Sequence, residues 1–294
     1  MTSKPARVLR DLIANRDAPI LVPGAANALS ARVIEESGFS AVYVTGAGVT
    51  NTFMGMPDLG LLSLTELVAH VSAMSDAVEL PLLVDADTGF GNAINVRHTV
   101  RCLERAGAAA IQIEDQVSPK RCGHFAGKRV IGADEMVMKI KAAVDARQDD
   151  DLMVIARTDA RATLGIEAAC ERMARYHEAG ADILFVEAPE TLAEMRYVTG
   201  HVPGIHLANM VEGGLTPPVS RDQLAELGYA IGLYANAAMR GAVVGMRSIL
   251  NHLAKQGDTI EAENLMIDWF DRQSLVRKPL FDELETQYAT QDSE

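Results

Sequence analysis

Three acids, a thiol and a cluster of cations occupy short stretches of this chain. Asp85 and Asp87 stand in Val84-Asp-Ala-Asp87, Glu114 ends an apolar run, and Lys120-Arg-Cys-Gly-His124 follows it. Asp85, Asp87 and Glu114 offer oxygen ligands without nearby histidine or cysteine support, which suits a hard cation. Mg²⁺ fits best, since it typically keeps several waters and takes one or two carboxylates together with the substrate. Three acids in one pocket repel one another unless a cation or a raised pKa relieves them. Cys122 lies among Lys120, Arg121 and His124, and neighbouring cations stabilise a thiolate. Gly123 and Gly127 hinge that loop, Arg157 carries a fork suited to a carboxylate, and Gly46-Ala47-Gly48 exposes backbone N–H groups that suit an anion. A cation, carboxylate-binding donors and a thiol on a flexible loop point to metal-assisted chemistry at a carbanion beside a carboxylate. Closure of the loop would exclude water.

The elements that must position these groups repeat a simple rhythm of apolar run, polar end and helical segment. The runs are Ile20–Gly24, Ala41–Gly46, Pro81–Asp87, Ala110–Asp115, Met153–Asp159, Ile183–Ala188, Ile205–Met210 and Tyr229–Ala235. Between them lie helical patterns such as Ala28–Ser37, Thr65–Ala77, Val96–Ala106, Ala133–Ala146, Ile166–Ala179 and Leu192–Val198. Near-continuous apolar strands alternating with helices predict a parallel sheet buried on both faces. Eight of them predict an α/β fold closed as a (β/α)8 TIM-type barrel. Gly38, Gly107 and Gly180 fall where helices must end before the next strand. The polar residues of the strands gather at their C-terminal ends: Tyr43, Thr45, Asp85, Asp87, Glu114, Arg157, Asp159, Glu187 and Asn209. Asp85 and Asp87, two residues apart, are expected on one side of their strand. Enzymes of this architecture place their chemistry at that end of the barrel. The barrel is assigned to residues 1–250, with a helical extension over 251–294 that carries Trp269, Phe270, Leu275, Leu280 and Phe281 and packs on a neighbouring subunit.

The 294 residues carry a formal charge of −13, which argues against a nucleic-acid partner. Total charge does not argue against an anionic substrate, which responds to the local field. With 48% hydrophobic residues the chain can bury a large core, yet no apolar run approaches a membrane span. Cys102, Cys122 and Cys170 form neither a disulfide framework nor a zinc pattern, and the N-terminus lacks a signal-peptide core. The reading is a cytoplasmic protein acting on a small carboxylate, with no membrane partner.

Taken together, Asp85-Ala-Asp-Thr-Gly-Phe-Gly91, Glu114-Asp-Gln, Lys120-Arg-Cys-Gly-His124 and Ala156-Arg-Thr-Asp159 resemble the isocitrate lyase/phosphoenolpyruvate mutase superfamily. The resemblance extends from about Leu9 to about Arg240, and the loop is similar to the branch with a catalytic cysteine, that of the 2-methylisocitrate and 2,3-dimethylmalate lyases. It implies a (β/α)8 barrel, a homotetramer that exchanges a C-terminal helix between subunits, and a Mg²⁺ cofactor with Mn²⁺ as a substitute. Carried over by matching motif, Asp85, Asp87 and Glu114 form the metal site, partly through waters. Tyr43, Thr45, Gly46, Ala47, Arg157, Glu187 and Asn209 surround the 2-hydroxy or 2-oxo carboxylate, with Arg121 and Gly123 contributed by the loop.

The implied reaction is a retro-aldol (Claisen-type) cleavage of a 2-hydroxy di- or tricarboxylate to a 2-oxo acid such as pyruvate plus a carboxylate. Cys122 is the acid, Lys120, Arg121 and His124 offset the developing charge, and either Tyr43 or Asp58 is the base. Departures from 2-methylisocitrate lyase leave the substrate open. Thr45-Gly-Ala-Gly48 replaces Ser-Gly-Gly-Gly, and Val211 stands where that enzyme has a threonine. Arg240 is retained and is expected to clamp a second carboxylate, which favours a lyase over a phosphonomutase, while oxaloacetate hydrolysis or decarboxylation on the same scaffold stays an alternative.

Overall fold

The computed structural model describes residues 4–121 and 127–289. Eight strands close into a parallel barrel in sequence order: β1 (Ile20–Ala25), β2 (Val42–Val44), β3 (Leu82–Asp85), β4 (Ala108–Glu114), β5 (Met153–Thr158), β6 (Ile183–Val186), β7 (Ile205–Asn209) and β8 (Ile231–Tyr234). The ring closes where β1 pairs with β8, Ile20 opposite Ile231 and Pro23 opposite Tyr234. Gly24 is required at this seam, because a Cβ there would lie 1.9 Å from the carbonyl oxygen of Ala235.

The helices are α1 (Pro5–Ala14), α2 (Ala28–Glu36), α3 (Gly46–Val49), α4 (Leu64–Ala77), α5 (Ala93–Arg105), α6 (Ala133–Ala146), α7 (Arg161–Leu164), α8 (Ile166–Glu178), α9 (Leu192–His201), α10 (Arg221–Glu226), α11 (Ala237–Gln256), α12 (Trp269–Leu275) and α13 (Lys278–Tyr288). Their starts follow local chemistry. Asn27, Ser63, Asn92 and Ser220 each form a reciprocal capping box with the residue three positions on. Their ends do too: Gly38, Gly107 and Gly180 take positive φ (82°, 102° and 106°) just past α2, α5 and α8, as expected.

The strands bury both faces. Side chains such as Val42, Val84, Ile111, Val154 and Leu184 pack outward under the helices. Tyr43, Leu83, Ala110, Ile155, Phe185, Leu207 and Leu233 fill the barrel interior over Leu9 and Ile13 of α1. None of the helices among the described residues is long and apolar enough to cross a membrane. Cys102 and Cys170 are free thiols.

Two compact units divide between Ala237 and Ala238. The boundary expected after residue 250 therefore falls within α11. The second unit holds the rest of that helix with α12 and α13, and Asp268 caps α12 through the N–H groups of Phe270 and Asp271. Its Trp269, Phe270 and Phe281 are exposed, and Arg272 lies 4.1 Å over the Trp269 ring.

Two sequence expectations are corrected at the strand ends. The second strand stops at Val44, and Gly46-Ala47-Gly48 begins the helical turn α3. Thr45 caps that turn by accepting the Gly48 N–H at 3.2 Å, so this segment is a helix start and only part of its donor set is open. Asp87 is not on a strand face at all. β3 ends at Asp85, and Asp87 turns into the left-handed region (φ 49°) with its N–H on Asp85 Oδ1 at 3.1 Å. A local Asx turn, rather than strand alternation, brings the two carboxylates together.

Candidate active site

At the C-terminal end of the barrel, a small pocket is lined by Tyr43, Thr45, Ala47, Asp58, Asp85, Lys120, Arg157, Glu187 and Asn209. All nine are residues whose types and positions predicted a site. They come from β2, β3, β5 and β7 and from the segments that follow β2, β4 and β6.

Lys120 joins the two loops. Its Nζ lies 2.6 Å from Asp58 Oδ1 and 2.9 Å from Asp87 Oδ1, and the side chain is 5% exposed. Burial alone would lower its pKa, but Asp87, Asp85, Glu114 and Asp58 raise it well above the usual value, so it is an ammonium. Burial pushes Asp87 up to about 6 even though Lys120 opposes the shift.

Arg157 is the second cationic centre. Its Nε lies 2.9 Å from Asp159 Oδ2 and 3.2 Å from Glu114 Oε2, its Nη2 lies 3.2 Å from Glu187 Oε2, and Phe185 sits under the guanidinium at 5.1 Å. Glu114 is held well above the ordinary carboxyl range by burial, with Arg157 opposing. Asn209 reaches the Glu187 carboxylate through Nδ2 at 3.5 Å.

Tyr43 is fully buried and donates to Gln112 Oε1 at 2.9 Å, while Gln112 Nε2 donates to Asp85 Oδ1 at 3.2 Å. Burial first, and then Asp85, hold the phenol well above its usual pKa, so Tyr43 is a neutral donor rather than a ready base.

The acids do not converge as a closed ligand shell. No group of three His, Cys, Asp or Glu side chains gathers on one point among the described residues. Lys120 draws Asp87 toward Asp58, and Arg157 holds one oxygen of Glu114. The donor set nevertheless fits a hard cation. Glu114 Oε1 is buried and accepts no hydrogen bond among the described residues. Asp85 Oδ2 and Asp87 Oδ1 face the backbone of Gly46, where a Cβ would stand 3.2 and 3.4 Å from them. Asp58, Asp85, Asp87 and Glu114 crowd together around Lys120 and Arg157, an acid-rich cluster that suits a divalent cation.

Arg121 is gripped through its backbone by the Gln116 amide (2.8 and 3.0 Å) and lines a neighbouring cavity with Lys128 and Arg129. Arg240 belongs to the second unit, on α11. Cys122, Gly123 and His124 lie outside the described residues. The pocket wall also includes Val211, Leu233, Ala235 and Asn236, and Thr45 Oγ1 lies 3.4 Å from Asn236 Oδ1. Asn236, Leu233 and Ala235 were not picked out from sequence. The available signal was inward alternation continued past β8, together with a buried glutamine, Gln112, inside an otherwise apolar β4.

Comparison with known proteins completes the description. The family model described as phosphoenolpyruvate phosphomutase matches residues 9–254. A 2,3-dimethylmalate lyase of Eubacterium barkeri is 45% identical over 97% of this chain and 98% of its own length. A 2-methylisocitrate lyase of Aeropyrum pernix is 48% identical over 86% of this chain and 81% of its own length. A crystal structure of 2,3-dimethylmalate lyase, titled as a phosphoenolpyruvate mutase/isocitrate lyase superfamily member, superposes with TM-score 0.92 at 36% identity, covering 99% of this chain and 98% of that one. A phosphonopyruvate hydrolase in complex with oxalate and Mg²⁺ superposes with TM-score 0.87 at 30% identity, covering 97% of this chain and 99% of that one.

Proposed function

The chain belongs to the phosphoenolpyruvate mutase/isocitrate lyase superfamily as a carbon–carbon lyase, and from that premise we propose that it cleaves a 2-hydroxy di- or tricarboxylate into a 2-oxo acid and a second carboxylate. The observation that carries this reading is the pocket itself: two buried cationic centres, Lys120 and Arg157, set among acids at the barrel mouth. Substrates of the 2,3-dimethylmalate and 2-methylisocitrate type are the candidates, after the relatives of those names.

Asp85, Asp87 and Glu114 would hold Mg²⁺, or Mn²⁺ in its place, partly through waters. The ion would supply Lewis-acid polarisation of the substrate's hydroxyl and carboxylate oxygens. Arg157 binds the C1 carboxylate, with Thr45 and Asn209 as neighbouring hydrogen-bonding groups and the Gly46-Ala47 helix start behind them. Asp58 takes the hydroxyl proton. It is ion-paired with Lys120, and Tyr43 is a neutral phenol. The C2–C3 bond then breaks, C2 becoming the carbonyl carbon of the 2-oxo acid while the electron pair passes to C3 and its carboxylate. Cys122 protonates C3, with Lys120, Arg121 and His124 offsetting the charge, and the proton on Asp58 returns to the thiolate through solvent. The exposed apolar side chains of the second unit, Phe270 (77%) and Trp269 (62%) among them, support assembly as a homotetramer.

Following 2-oxo acid release with Mg²⁺ and with EDTA, over 2,3-dimethylmalate, 2-methylisocitrate, citramalate and oxaloacetate, tests this reading. Release from a hydroxy acid, abolished by chelation, is the expected result. Consumption of oxaloacetate alone would replace the lyase reading with a hydrolase or decarboxylase.

A further inference from the structure

Asp159 takes no part in the steps above, yet it holds the group assigned to the substrate carboxylate. It lies just beyond β5 and is fully buried. Its Oδ2 accepts Arg157 Nε at 2.9 Å and its Oδ1 accepts Arg157 Nη2 at 3.3 Å, a two-point fork. Oδ1 also receives Lys128 Nζ at 2.7 Å. Lys128 belongs to the segment that returns to the barrel after the loop following β4. That segment is fastened by Val117 N–H to Arg129 O (2.8 Å) and Ile131 N–H to Asp115 O (2.9 Å).

Asp159 is itself fixed from behind. Its backbone N–H donates to Asp115 Oδ1 at 2.9 Å. Asp115 is also fully buried, and its Oδ2 accepts Thr158 Oγ1 (2.7 Å), Tyr176 OH (2.8 Å) and Arg172 Nη1 (3.2 Å). An arginine fork is planar, so a carboxylate that takes Nε and Nη2 fixes the plane and the edge that remains. Glu114 and Glu187 approach the same two nitrogens, and among the described residues Nη1 donates no hydrogen bond to a carboxylate.

A buried ion pair adds little to stability over apolar packing of the same volume. Asp159 and its partners are therefore better explained by orientation. We propose that Asp159 is a positioning residue: it turns the Nε–Nη2 edge of Arg157 inward and leaves Nη1 for the substrate carboxylate, while Lys128 keeps Asp159 in that pose. The proposal rests on the assignment of Arg157 to that carboxylate.

Binding of oxalate with Mg²⁺, measured by calorimetry alongside hydroxy-acid turnover, tests it. In the parent background Asp159→Asn is expected to weaken oxalate binding about 10-fold or more and Lys128→Met about 5-fold, while Lys128→Arg stays within about 2-fold of the parent. In an Arg157→Lys background, where no fork exists to orient, Asp159→Asn and Lys128→Met are expected to cost less than about 2-fold. Equal losses in both backgrounds, or unchanged affinity on Asp159→Asn, would overturn the proposal. Should Asp159→Asn fail to fold, the Lys128 variants in the two backgrounds decide alone. A parent that binds oxalate but turns over no hydroxy acid would remove the lyase reading and leave this one standing; a parent that binds no oxalate would overturn both.

Discussion

Asp87→Asn is expected to make the metal-free protein more stable at neutral pH. The folded carboxyl titrates at about 6 against an ordinary value of 3.8, chiefly because it is buried. Below about pH 4 the group is protonated in the folded and unfolded chain alike, so it costs nothing. Between about pH 4 and 6 the unfolded chain ionises while the folded one keeps its proton, and stability falls. Above pH 6 the loss is complete; a shift of a little over two units corresponds to about 3 kcal/mol.

An asparagine keeps the shape of the protonated acid and tolerates the left-handed backbone that Asp87 adopts (φ 49°). Lys120 retains Asp58 at 2.6 Å, so its charge stays paired. The variant should therefore gain up to about 3 kcal/mol at pH 7.5, which is up to about 5 °C in Tm for a chain of this size. Thermal unfolding in EDTA from pH 4 to 8 should show the two proteins together at the acid end and diverging toward pH 6. Saturating Mg²⁺ should then raise the Tm of the parent and leave that of the variant nearly unchanged. A variant less stable than the parent at pH 7.5 in EDTA would refute the reasoning, since the buried charge would then be stabilising.

Cys122→Ser should cut turnover by at least about 100-fold while oxalate and Mg²⁺ binding persist, because a serine hydroxyl is a far weaker acid than a thiol; unchanged turnover sinks the acid role. Tyr43→Phe should lower kcat less than about 10-fold and leave the acid limb of its pH profile in place, since Tyr43 is a neutral donor to Gln112. Loss of that limb would return the base assignment to Tyr43. Gly24→Ala should destabilise the barrel by about 3 kcal/mol or more in thermal or urea unfolding, because its methyl would lie 1.9 Å from a backbone oxygen at the β1–β8 seam. A change below about 1 kcal/mol would mean that the seam can open.

Much of this architecture is written in local chemistry. The eight strands are apolar on both faces because both are covered, and that leaves continuous runs any reader of the chain can mark. Polar residues at the ends of such runs have only the barrel mouth to occupy, so the sequence by itself groups Thr45, Asp85, Arg157, Glu187 and Asn209, which line one pocket.

Tertiary structure decided how those residues meet. Alternation predicts a side only while the backbone stays extended, and at Asp87 and Gly46 it does not. The pairing of Lys120 with Asp58 and Asp87, and the fork of Asp159 on Arg157, join loops and strands from separate parts of the chain. Closing the barrel brings them within reach, and desolvation there sets which acid keeps its proton. Spacing along a chain encodes neither distance across a barrel nor the dielectric at its mouth, so the family and the polar residues that gather at the barrel mouth were readable from sequence, whereas the orientation of Arg157 and the raised pKa of Asp87 were not.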